Sequence, residues 1–160
     1  TGNGLVGITE ADQWRLTANT NSGTDATVSS NWERNDSNGF NYIGTGLTES
    51  SGVFTFPSTG IYLIIFTGSF TIAFGEKTAR LMLQTNINGS SYVDVGDVIG
   101  HNRGGSEVEE SASSTFIFDV TNTTTHSFRF QTRSFSTGTL LSGTTTYNET
   151  CFSVFRIGDT

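Results

Sequence analysis

Apolar residues in this chain recur at period two, in short runs set off by turn-forming residues, which is the pattern of strands that each bury one face. In the segment 10–20, Trp14, Leu16 and Ala18 alternate with polar neighbours and predict a strand. The segment 19–52 is rich in Asn, Ser, Gly and Thr, interrupted by aromatics at Trp32 and within 40–43, and predicts loops with short edge strands. From Gly52 the alternation sharpens: Phe54 and Phe56 share a face, Thr59-Gly60 turns the chain, and 61–74 reads as a strand. Further strands are predicted at 78–85, with Leu81 and Leu83 opposite Met82, at 92–99 after the Asn88-Gly89 turn signal, and at 114–120, 127–133 and 150–157. The Ser- and Thr-rich stretches 121–125 and 137–146 read as loops, and Thr1 to Ile8 as a Gly-rich arm ahead of one domain spanning 9–160. About ten antiparallel strands joined by turn chemistry make the chain all-β, a β-sandwich or barrel.

One strand departs from simple alternation. Ile61 to Phe66 is apolar on both faces, whereas an antiparallel strand normally wets one of them. The opposite sheet covers one side, and a neighbouring subunit is the simplest cover for the other.

Composition agrees with strands. Only 14% of the 160 residues are charged, against about 25% in an average domain, and Thr, Ser and Asn suit the wet face of a sheet better than that of a helix. A net charge of −7 with scattered Lys and Arg excludes nucleic acid as a partner. The longest apolar run is far shorter than the ~20 residues of a membrane-spanning helix, so no membrane insertion is expected. The single cysteine, Cys151, precludes an internal disulfide.

Candidate chemistry is sparse, and no cofactor is implied. The only side-chain imidazoles are His101 and His126, both placed in exposed loops, with no nucleophile-and-base motif around them. Cys151 sits in an alternating apolar strand as a buried, inert thiol. Calcium has two weak candidate sets, Asp94 with Asp97 in a hairpin loop and Glu107, Glu109 and Glu110 on a wet edge, neither at the spacing of a calcium loop. Gly44-Thr45-Gly46 lacks the following helix a phosphate cradle needs. Asn35, Asn88, Asn122 and Asn148 open Asn-x-Ser/Thr triplets at the frequency such a composition gives by chance. Trp14, Trp32, Tyr42 and Tyr92 are the aromatics available to stack on a sugar, if exposed.

The segment GVFTFPSTGIY, Gly52 to Tyr62, resembles the signature of the C1q and tumour-necrosis-factor superfamily, with Phe54, Phe56, Gly60 and Tyr62 at its family core positions. LMLQTNING from Leu81, the apolar strands flanking 121–125, and CFSVFRI from Cys151 follow in that family's order. The polar turn is Thr121-Asn122-Thr123-Thr124-Thr125 where relatives favour Gly-Asp, and the first fifty residues match poorly. The Thr, Ser and Asn bias also resembles small virion proteins of marine bacteriophages. The resemblance implies an antiparallel jelly roll that assembles as a homotrimer, with Leu63, Ile65, Ile117, Phe155 and Ile157 facing the threefold axis. Buried only on assembly, each would contribute ~1.5 to 3 kcal/mol.

The expectation is therefore a non-enzymatic trimer on a virion surface, as a fibre head or capsid decoration. It would bind host-surface glycan or protein through loops that include Asn19, Asp25, His101 and Arg103, and other virion proteins through its N-terminal arm. A capsid cement without a host ligand and a carbohydrate-active enzyme are the alternatives.

Overall fold

The computed structural model describes residues 7–20 and 22–160. Its period-two segments form twelve strands: β1 (Ala11–Leu16), β2 (Ala18–Thr20), β3 (Trp32–Arg34), β4 (Thr48–Ser50), β5 (Val53–Thr55), β6 (Gly60–Ile72), β7 (Thr78–Asn86), β8 (Val93–His101), β9 (Val108–Val120), β10 (Ser127–Arg133), β11 (Leu140–Thr144) and β12 (Cys151–Gly158). The count exceeds the expected ten or so. Short pieces account for the difference, chiefly β11, which lies inside the stretch 137–146 read as loop. Its Leu141 is fully buried beside Phe70 of β6, so one apolar side chain anchors a strand among hydroxyl residues.

All pairings are antiparallel and fall into two sheets. The larger runs β2-β11-β6-β12-β1-β3, with β9 paired along the other edge of β6 from Gly60–Val120 to Ile72–Val108. The smaller runs β4-β5-β10-β7-β8. Non-sequential neighbours in both sheets make this a jelly roll. The arm expected at Thr1 to Ile8 lies outside the described residues except for Gly7 and Ile8, both exposed.

Between the sheets sits an aromatic core. Phe54 meets Phe152 edge to face at 4.7 Å and stacks on Phe128 at 5.2 Å, while Phe56 packs on Tyr62 at 4.6 Å. Such pairs add to the area they bury. The Tyr62 hydroxyl donates to the carbonyl of Ser58, and burial pushes its pKa upward. Gly60 precedes it because any Cβ there would collide with the Arg156 side chain.

Several expectations are corrected here. Ala18 is exposed, because the chain breaks at Thr17 and β2 pairs with β11 instead of continuing β1. Trp14 is buried and Trp32 packs against Phe54, Phe130 and Phe152, so neither is a surface platform. Tyr92 is half-buried under Arg129, and its hydroxyl shares a hydrogen bond with Ser127. His126 is not an exposed loop residue: it stacks on Phe118, and both ring nitrogens face Thr hydroxyls, of Thr121 and Thr125. Cys151 is only partly covered, though burial raises its thiol pKa.

Candidate functional site

Residues directly opposite in an antiparallel ladder point to the same face, so the register of the large sheet defines what its outer face presents. Leu63 of β6 stands opposite Ile117 of β9 on one side and Phe155 of β12 on the other, and Phe155 stands opposite Ala11 of β1. One row across four strands is therefore apolar. Ile65 stands in the next row between Thr115 and Ser153, and Ile157 lies where a bulge between Arg156 and Gly158 shifts the ladder. Exposure is 60% at Ile117, 51% at Ile157 and 38% at Ile65, while Leu63 and Phe155 are half-buried. Ile8 and Ile43 extend the exposed apolar surface at the same end, Ile43 through a bridge to Ala11.

Moving along the strands, the face turns hydroxylic. Ser113, Thr67 and Cys151 make one row, and Ser111 stands opposite Ser69 in the next. These side chains bond to one another, Thr67 to Ser113 at 2.7 Å and Ser69 to Ser111 at 2.8 Å. Their polar groups are already partnered, so this half needs no cover, whereas the apolar half does.

The β1 side of the face carries charge that is held in place. Asp12, directed to the core side and buried, accepts from Arg34 through Nε and Nη2 at 3.0 Å each, from Trp14 Nε1 at 3.0 Å and from the Leu47 amide at 2.8 Å. Arg34 in turn lies over Trp14 and Tyr42. Gly46, at φ 74°, is what permits this approach, since a Cβ would sit 2.8 Å from both Arg34 and Asp12. On the outer side of β1, buried Arg15 pairs with Glu33 at 2.6 Å. The pairings of Asp12 with Arg34 and of Arg15 with Glu33 were not visible in sequence, because each joins β1 to β3.

The residues proposed for ligand loops gather at one pole. Gly23 donates to the Thr139 carbonyl, the Ala73 amide to the Thr139 hydroxyl, and Asn102 reaches the Ala73 carbonyl. This brings the loops of Asp25 and of Arg103 to the same end. Asn19 lies in β2 and not in a loop, and its carboxamide oxygen accepts from the Gly143 amide of β11, while the Asp25 carboxylate accepts from the Phe135 amide. His101 and Arg103 are exposed.

The calcium candidates change character. Asp94 and Asp97 lie in β8, not in a loop, and pair with Arg133 at 2.8 Å and Arg80 at 2.7 Å. Glu109 and Glu110 are exposed in β9. Among the described residues, no three acidic, His or Cys side chains come together to hold a metal.

No family model and no curated protein matches the sequence. Solved structures do match. The chain is similar to murine APRIL at pH 5.0, with a TM-score of 0.67 and 14% identity over 92% of this chain and 98% of that one. It is also similar to Eiger TNF from S. frugiperda, with a TM-score of 0.70 and 12% identity over 96% and 95%. The fold is a TNF-like jelly roll.

Proposed function

We propose that the chain is a non-enzymatic binding head that works as a homotrimer, closing the apolar half of its large sheet against two other copies. The observation that carries this reading is the row Ile117–Leu63–Phe155, with Ile65 and Ile157 beside it, partly or wholly exposed on a sheet whose other face carries the core. A contiguous apolar surface of this kind marks a protein–protein contact, and three-copy assembly is what the family resemblance implies. Three weak ligand sites on one rigid head then act together, and their combined avidity exceeds the affinity of any single site.

The imidazoles support a non-enzymatic role, since His126 is committed to threonine hydroxyls and Phe118 and His101 stands exposed at a strand end. A place on a virion surface is the setting the compositional resemblance suggests, and labelling intact particles with an antibody to the chain tests it.

The assembly is tested by Ile65→Asp. The substituted chain is expected to sediment as a folded monomer or to aggregate. A soluble, well-folded trimer carrying the change overturns the reading.

A further inference from the structure

A hollow of about 390 Å³ opens on the outer side of β1, walled by the loop after β3 and the loop between β11 and β12. Six of its lining residues define its chemistry: Gln13, Arg15, Asn35, Phe40, Tyr147 and Asn148. Three of them are carboxamides bonded in a ring. Asn35 Nδ2 donates to Gln13 Oε1 at 2.6 Å and to Asn148 Oδ1 at 3.0 Å, and Asn148 Nδ2 donates to Gln13 Oε1 at 3.0 Å. Gln13 Nε2 is fixed by Ser153 at 2.7 Å. The ring joins three separate parts of the chain, so its amides are held rigid before any ligand arrives.

Its satisfaction is incomplete. Asn35 is 8% exposed, and its Oδ1 has no hydrogen-bond partner, where a buried acceptor ordinarily has one. The remaining N–H groups of Asn148 and Gln13 add donors beside it. The Arg15 guanidinium offers no free cation to the hollow, because it is taken by Glu33 at 2.6 Å and approached by Asp36 at 3.4 Å, two carboxylates against one positive charge. Tyr147 is 60% exposed and Phe40 is half-buried, giving the hollow aromatic surface.

From this juxtaposition we infer that the hollow is a binding site for a neutral saccharide. Carboxamides pair with the donor-and-acceptor hydroxyls of a sugar, aromatic rings cover its C–H face, and the chain's charge of −7 works against an anionic glycan. The inference rests on the reading of the chain as a binding head and moves its ligand site from the pole of Asn19, Asp25, His101 and Arg103 to the β1 hollow.

The test is titration of the full chain with maltotriose, mannotriose and galactotriose, followed by amide chemical shifts, with a heparin-derived oligosaccharide as the anionic probe. At least one neutral trisaccharide is expected to shift Gln13, Asn35, Tyr147 and Asn148. Tyr147→Ala, which changes an exposed ring, is expected to weaken binding up to about tenfold with the fold intact, and Asn148→Ala to weaken it further. Phe74→Ala, which changes an exposed ring that does not line the hollow, is expected to leave it unchanged. Binding of none of the neutral trisaccharides, binding of the anionic probe alone, or shifts elsewhere that survive both hollow variants overturns the site. Sedimentation of the same samples separates the two proposals: a trimer without sugar binding removes the hollow and keeps the head, and a sugar-binding monomer does the reverse.

Discussion

The two faces of β6 begin with the same kinds of residue and meet different fates. On the inner face, Tyr62, Ile64, Phe66, Phe70 and Ile72 are each at most 1% exposed and packed within the chain. On the outer face, Leu63 looks out from an apolar row, Ile65 from the next row between Thr115 and Ser153, and the strand then gives way to Thr67, Ser69 and Thr71. The inner pattern is explained by the fold alone. In the proposed trimer the outer pattern is covered by a second copy, and the switch to self-bonded hydroxyls marks where that cover ends.

Substitutions sharpen this contrast. Phe66→Ala on the inner face is expected to cost about 3 to 5 kcal/mol of folding free energy, through lost burial and a cavity. Equilibrium urea unfolding measures it, and a loss below about 1 kcal/mol would mean that the inner face is not tightly packed. Asp12→Ala follows at about 3 kcal/mol, because Arg34 and the Trp14 indole N–H lose a buried partner. The same urea series checks it. Gly46→Ala should cost about 1 to 3 kcal/mol by imposing a side chain at positive φ against that ion pair, and thermal unfolding reads the loss.

Leu63→Ala on the outer face inverts the pattern. The isolated chain should lose under about 1 kcal/mol, since Leu63 is only half-buried, while the concentration dependence of the melting temperature, the sign of coupled assembly, should disappear. A large loss that is independent of concentration would erase the distinction between the faces.

The smallest effect concerns pH. Burial raises the pKa of Cys151 from an ordinary value of 9.0 and of Tyr62 from 10.0. The folded chain then holds protons that the unfolded chain has released, so their contribution is complete below pH 9 and falls as pH rises through the folded values. Urea midpoints should decline above pH 9. A rise across that range would reverse the sign.

Much of the fold was legible because alternation is local. The strand at β10 coincides with the predicted 127–133, and Phe54, Phe56 and Tyr62 lie in the core, each recognisable from neighbours a few positions away. What stayed hidden depends on partners far along the chain. Asn35 and Asn148 read as chance triplets, yet they bond across 113 positions. Asp12 and Arg34 meet across 22. Tertiary pairing likewise turned His126 inward onto Phe118 and made a strand of 140–144, where hydroxyl residues conceal the one buried leucine, Leu141. The hollow beside β1 stayed hidden for the same reason: sequence shows which loops are polar, not which ones come together.

Sedimentation equilibrium of the purified chain at micromolar concentration bears most directly on the account. A single species at three times the 17.2 kDa chain mass is the predicted result, converted by Ile65→Asp to monomer or aggregate. A stable, monodisperse 17.2 kDa monomer under the same conditions would contradict it.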